Sequence, residues 1–182
     1  LLTLFCFFFF FLRSAPLAAT PTADIELLSH FDGALRAVAV QDNKAFVGIG
    51  SRLAILDITD PSQPDLLGIT DAFPDLVENV VVSGNYAFVA ATYAGVRIVD
   101  ISDSANPQEV GVATGMELAY GIAVSGTRLF VTDPYSGSLW LFDVSDPANP
   151  LEMWSQEAFS PLDILVEGNY LYLPSGNLEI YD

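Results

Sequence analysis

The chain writes one short segment four times. Val96–Asp100 (VRIVD) is preceded by Leu53–Asp57 (LAILD) and followed by Leu139–Asp143 (LWLFD) and Leu178–Asp182 (LEIYD). Asp57, Asp100 and Asp143 stand 43 residues apart, and so do Pro64, Pro107 and Pro150. A period in the forties without a helical pattern marks stacked units, none of which can bury its apolar face alone. A β-helix repeats over a shorter rung, and a sandwich does not repeat itself this closely.

Each unit resolves into four short strands. The first is Val38–Val40, Val80–Val82, Ile122–Val124 and Ile164–Val166 in the successive copies. A tight turn follows: Asp42-Asn43, Gly84-Asn85, Gly126-Thr127 or Gly168-Asn169. These pairs tolerate the positive φ that two-residue hairpins of the primed types require. The second strand carries Phe46, Phe88, Phe130 or Tyr172, spaced by 42 residues each. A loop of variable length leads to the third strand, the repeated segment itself. After the proline-bearing turn comes a fourth strand: Leu66–Thr70, Glu109–Ala113 and Leu151–Trp154. The expectation is an all-β fold of β-propeller blades, four antiparallel strands in each. About four units are expected, near 24–70, 71–113, 114–155 and a shortened 156–182.

Ile25–His30 resembles a fourth strand lacking its own first three, and the last unit has three strands lacking a fourth. Two arrangements fit. Pairing these two ends closes four blades into a ring. The preferred reading is an incomplete part of a larger propeller of six to eight blades, with Leu178–Tyr181 as an open edge.

The repeated pentapeptides, each preceded by a hairpin like Val82-Ser-Gly-Asn-Tyr86, resemble the LVIVD repeat over roughly Ile25 to Asp182. Gln41-Asp42 in place of Ser-Gly, and Ser104 in place of the first turn proline, are the departures. The resemblance implies a bacterial or archaeal exported or cell-surface protein built as a β-propeller. It implies no activity and brings no catalytic residues.

Leu1 to Leu12 is apolar apart from Thr3, and small residues including Ala15, Ala18, Ala19 and Ala23 follow Arg13. This reads as the apolar region and cleavage zone of a signal peptide over 1–23, clipped at its start. Twelve residues are too few to span a bilayer, so an uncleaved anchor, needing more apolar residues upstream, is the alternative. Thr3-Leu4-Phe5 before Cys6 lacks the small residue of a lipoprotein site. Cys6 is the sole cysteine, so a cleaved chain has no thiol for disulfides, catalysis or metal. His30 is the sole histidine and the only imidazole base available to a triad.

Against 23 acidic residues stand 6 basic ones, a net charge of −17. Such a chain is repelled by phosphate backbones and anionic lipid, which disfavours nucleic acid and membrane partners. On one rim the connections into each first strand meet the loops between second and third strands. That rim carries Asp32, Asp75, Glu78, Tyr93, Glu117, Tyr120, Asp133, Tyr135 and Asp163 as candidate binding residues. Clustered carboxylates could hold calcium, although no Asp-x-Asp-x-Asp-Gly loop supports it; no other cofactor is expected. The pairs Asp57/Asp60, Asp100/Asp103 and Asp143/Asp146 read as turn caps because every copy has them. Trp140 and Trp154 read as packing between blades.

The expected function is a secreted or cell-surface, non-catalytic scaffold that binds an extracellular protein or glycan. The alternative is an extracellular carbohydrate hydrolase, for which two rim carboxylates with separated pKa values would be needed.

Overall fold

The computed structural model describes residues 27–30, 33–158 and 160–182. The signal-peptide reading and Asp32 lie outside them. Every regular element among the described residues is a strand. Blade 1 holds β1 (Leu35–Gln41), β2 (Lys44–Ile49), β3 (Arg52–Asp57) and β4 (Asp65–Ile69). Blade 2 holds β5 (Asn79–Ser83), β6 (Tyr86–Ala90), β7 (Val96–Asp100) and β8 (Gln108–Ala113). Blade 3 holds β9 (Ile122–Ser125), β10 (Arg128–Asp133), β11 (Ser138–Asp143) and β12 (Leu151–Glu157). Blade 4 has three strands: β13 (Leu165–Glu167), β14 (Tyr170–Pro174) and β15 (Leu178–Tyr181). Within each blade the strands pair antiparallel in chain order, which makes a four-blade β-propeller of the kind the repeat predicts.

The hairpins follow from their sequences. Gln41 pairs with Lys44, Ser83 with Tyr86, Ser125 with Arg128 and Glu167 with Tyr170, so each turn has two residues. Gly84, Gly126 and Gly168 take φ of 58°, 58° and 60°, and Asp42 takes 55° in the same place. Positive φ at the first central residue suits a type II′ turn, and Asp is among the few non-glycine residues that accept it. The outer pairs repeat a finer irregularity. A bulge interrupts the ladder at Ile55/Leu56, Ile98/Val99 and Leu141/Phe142, one position seen three times.

Strands of the middle blades are apolar on both faces because both faces are packed. Phe46, Leu53 and Ile55 of blade 1 share a buried cluster with Val80, Ala87, Val89 and Val99 of blade 2. The opposite face of blade 2, with Phe88, Val96 and Ile98, joins Ile122, Leu129, Val131 and Phe142 of blade 3. Ala123 and Leu139 then join Ile164, Leu171 and Leu173 of blade 4. One geometry is therefore used three times over.

Glycine is required where neighbouring blades touch backbone to backbone. A Cβ on Gly68 would collide with the carbonyl of Ser104, and one on Gly111 with that of Pro147. The outer strands of blades 1 and 2 thus rest on the third-to-fourth-strand turns of blades 2 and 3. The same position in blade 3 is Trp154, paired with Leu141 as Gly68 is with Ile55 and Gly111 with Ile98. Trp154 is 39% exposed, and it lines a groove with Val166, Tyr170 and Leu171 of blade 4. It lies between blades, as expected, but only half-buried; Trp140 stacks on Phe142 at 6.2 Å between ring centres.

Leu27–His30 forms no strand and no ladder with β15 among the described residues. The hydroxyl of Ser29 instead donates to the carbonyl of Pro61 at 2.7 Å. Pro61 follows Asp57 by four residues, as Ser104 follows Asp100 and Pro147 follows Asp143. Leu27–His30 therefore lies against blade 1 where an outer strand lies against blades 2 and 3.

Candidate functional site

The repeated carboxylates on the hairpin side serve the backbone. Asp57, Asp100 and Asp143 accept from the N–H groups of Thr59, Ser102 and Ser145 at 2.8, 2.9 and 2.8 Å. Asp60, Asp103 and Asp146 do the same two residues on, toward Ser62, Ala105 and Ala148. The side chain and N–H of Thr59 and of Ser102 lower the pKa of Asp57 and Asp100; the N–H and then the hydroxyl of Ser145 do so for Asp143. These are turn caps, as their presence in every copy indicates.

On the opposite rim the loops are tied together in blade-wise groups. Asp75 accepts from the N–H groups of Leu76 at 2.8 Å and Tyr93 at 3.3 Å. The Thr92 hydroxyl and these N–H groups hold its carboxyl below the ordinary range. Thr92, at a φ of 42°, takes the N–H of Ala119 on its carbonyl at 2.9 Å and so links blade 2 to blade 3. Asp133 is buried and gathers the N–H groups of Glu117, Tyr135 and Ser136 at 2.7, 3.0 and 3.0 Å. Burial pushes its pKa up, but Ser136 and the N–H groups of Glu117 and Leu118 outweigh that, and it is lowered. Asp163 accepts from the N–H of Ile164 at 2.8 Å.

Three of the predicted carboxylates, Asp75, Asp133 and Asp163, are thus engaged in shaping their own loops. Among the described residues no three of His, Cys, Asp and Glu gather as a metal-holding group. Around the channel mouth a different set comes together. Arg36, Glu78 and Tyr120 occupy one position in successive blades, 42 residues apart. The N–H of Glu78 donates to the Ala90 carbonyl, and that of Tyr120 to the Thr132 carbonyl, so both sit at the same height on their blades. The Arg36 guanidinium donates to Glu78 at 2.7 Å. Glu78, by that hydrogen bond and then by its charge, raises the Arg36 pKa, and the Tyr120 phenol adds to it. Tyr93 and Tyr135 stand outward on the same rim, 69% and 68% exposed, and Glu117 is exposed beside the Asp133 loop.

Glu78, Tyr93, Glu117, Tyr120 and Tyr135 therefore present functional groups on the rim. Arg36 was not among the expected residues; its spacing of 42 from Glu78 is the signal that could have found it. A second feature, the groove of about 540 Å³ between blades 3 and 4, lies off the rim beside the Ser125–Arg128 hairpin. Trp154 in a position otherwise held by glycine is its trace in the sequence.

The LVIVD repeat matches the chain three times, over residues 32–72, 76–114 and 118–157. No curated protein matches it. Among solved structures it is similar to the computationally designed Ika4 protein, with a TM-score of 0.69 and 16% identity, over 85% of this chain and 94% of that one. The computationally designed Ika8 protein superposes with a TM-score of 0.67 and 16% identity, over 81% of this chain and 45% of that one. A functionally unknown protein from Desulfotomaculum acetoxidans gives a TM-score of 0.70 and 15% identity, over 85% and 57% of the respective chains. At these identities the likeness is one of fold.

Proposed function

The chain belongs to the LVIVD repeat family, a resemblance that brings no catalytic residues to transfer, and we propose that it is an exported, non-catalytic scaffold. Its rim captures an extracellular protein or glycan. The observation that carries this reading is the make-up of the rim: Tyr93 and Tyr135 exposed on loops that Asp75 and Asp133 lock to a rigid scaffold. Flat amphipathic rings held in place, with hydrogen-bonding groups of Arg36, Glu78, Glu117 and Tyr120 nearby, suit a sugar face or a protein surface. The lowered pKa values of Asp75 and Asp133 run opposite to what a glycosidase acid requires. The net charge of −17 favours partners that are neutral or basic.

The test is capture on a glycan array and against secreted proteins, by wild type and by Tyr93→Ala/Tyr135→Ala. Loss of two anchoring rings weakens capture by about tenfold or more, the equivalent of about 1.4 kcal/mol. Unchanged capture removes the rim assignment. Turnover of a glycan that disappears in Glu78→Gln or Glu117→Gln would replace the scaffold by the hydrolase. Export is tested separately, by following the chain into the medium with and without the Leu1–Leu12 run.

A further inference from the structure

The junction of blades 1 and 2 keeps a pocket open at its outer edge, whereas the same place between blades 2 and 3 is filled. At the filled junction the Trp140 ring packs against Gly115; a Cβ there would lie 3.1 Å from the ring and 3.8 Å from the Glu152 carboxylate. One blade earlier, 43 residues back, the repeat has Arg97, Ala72 and Glu109 in those three places. Arg97 pairs with Val112 as Trp140 pairs with Ser155, so the two side chains start from the same point of their blades. Instead of closing the gap, the Arg97 guanidinium donates to Glu109 at 3.0 Å. A cavity of about 320 Å³ remains between residues 69–73, which lead out of blade 1, and residues 106–109, which lead into β8.

Its walls are polar by replacement. Thr70, Asp71 and Gln108 stand where the filled junction has Ala113, Thr114 and Leu151. Packing does not ask for this, since Trp140 shows how an aromatic ring seals the gap. The Arg97 side chain is 14% exposed, and its Nε–H is buried without a partner among the described residues, an arrangement that costs stability. Hydrogen-bonding groups are left over for a ligand. Asp71 lines the pocket with an exposed carboxylate, and Glu109 gives one of its two oxygens to Arg97. The Gln108 amide nitrogen donates to Asn106 Oδ1 at 3.0 Å and to the Pro107 carbonyl at 3.1 Å. That leaves the Gln108 Oε1 as an acceptor and the Asn106 Nδ2 as a donor.

Charge decides what such a pocket takes. Asp71 and Glu109 are matched by Arg97 and by Arg52, whose guanidinium donates to the Thr70 carbonyl at 3.0 Å. The pocket is thus balanced, in a chain whose net charge of −17 repels anions as a whole. The two guanidiniums oppose a cation in turn. A neutral molecule carrying several hydroxyls fits, because each hydroxyl can donate to a carboxylate and accept from an amide. A volume of about 320 Å³ falls near the lower end for small-molecule pockets, which suits a single ring. The geometry points to a sugar pocket between blades 1 and 2 that holds one monosaccharide unit, with Asp71, Asn106, Gln108 and Glu109 as its hydrogen-bonding set. The site is separate from the rim and stands whether or not the rim captures a partner.

The test is titration of the isotope-labelled full chain with glucose, galactose, mannose, xylose and N-acetylglucosamine, read from amide chemical shifts. At least one of these sugars is expected to move the amides of Ala72, Phe73, Gln108 and Glu109, with a millimolar affinity that salt leaves unchanged. The double variant Asp71→Thr/Gln108→Leu installs the residues of the filled junction at two exposed positions, keeps the thermal midpoint, and weakens binding by about tenfold or more. Arg97→Trp closes the pocket outright and abolishes the shifts; if that variant is unstable, the double variant decides alone. No shift with any of these sugars overturns the inference, as do shifts that survive Asp71→Thr/Gln108→Leu. Shifts confined to Tyr93 and Tyr135 overturn it too, and belong to the rim. Salt-sensitive binding of methylamine or spermidine at the pocket amides, in place of sugar, makes this a cation site and likewise overturns it.

Discussion

At the junction of blades 2 and 3, Val96 and Ile98 share a sealed cluster with Leu129, Val131 and Phe142. On blade 4 the same two positions of the repeat, Leu178 and Ile180, face water. The side chains are alike, and both strands pair in the same register with the second strand of their blade. What differs among the described residues is whether an outer strand and a neighbouring blade cover the position, so the worth of a repeat residue belongs to the junction more than to the blade. A propeller's energetics in this view are those of a row of contacts, each of which can be tested singly.

The widest gap is expected between paired truncations. Ile98→Ala costs about 2–5 kcal/mol, the usual toll of a large cavity in a sealed core. Ile180→Ala in dilute solution stays within about 0.5 kcal/mol. Urea titrations of the two variants check this, and equal losses would mean that blade 4 is covered in solution. Gly111→Ala comes next, at about 1–3 kcal/mol, because the new methyl group meets the rigid Pro147 carbonyl. Its counterpart Trp154→Ala changes a half-exposed ring and costs less.

Carboxylates supply a third contrast. Asp133→Asn gives up a buried charge-assisted set of N–H bonds and costs about 1–3 kcal/mol, whereas Asp143→Asn on the exposed turn costs less than that. The folded pKa of Asp133 is lowered, so its contribution is complete above about pH 4, the unfolded carboxyl range, and is lost as acid titrates the folded group. Thermal melts from neutral to acid pH should therefore fall more steeply for wild type than for Asp133→Asn. The smallest effects are in the hairpins. Gly126→Ala costs about 1 kcal/mol and Asp42→Gly returns a similar or smaller amount, since both turns demand a left-handed residue at that place.

Blades, hairpins and turn caps were all legible in the sequence, for a shared reason. Each depends on residues within one period, and repetition displays the hairpins four times and the turn caps three times. The Asp57/Asp60 type of pair declares itself a cap because a unique site would not recur with the fold. The rim is less legible because its carboxylates look the same whether they bind a partner or a neighbouring N–H. Asp75 and Asp133 turn out to hold Tyr93 and Tyr135 in place, which no spacing reveals. Arg36 was overlooked since its partner, Glu78, lies in the next blade. The half-exposed state of Trp154 likewise depends on what lies across the groove.

The alternation of strands sends the hairpins and the proline turns to one side of the molecule and the variable loops to the other. The first side is geared: Gln41 reaches the Gly84 carbonyl of the adjoining hairpin, and the turns of blades 2 and 3 are seated on the glycines Gly68 and Gly111 of their neighbours. An insertion there would jam two blades together. On the other side the loops span 11, 12 and 13 residues from the second-strand aromatic to the third-strand Asp with no change in the ladders beneath. Diversification, by natural drift or by grafting, is therefore confined to one surface and can proceed there loop by loop without retuning the wheel.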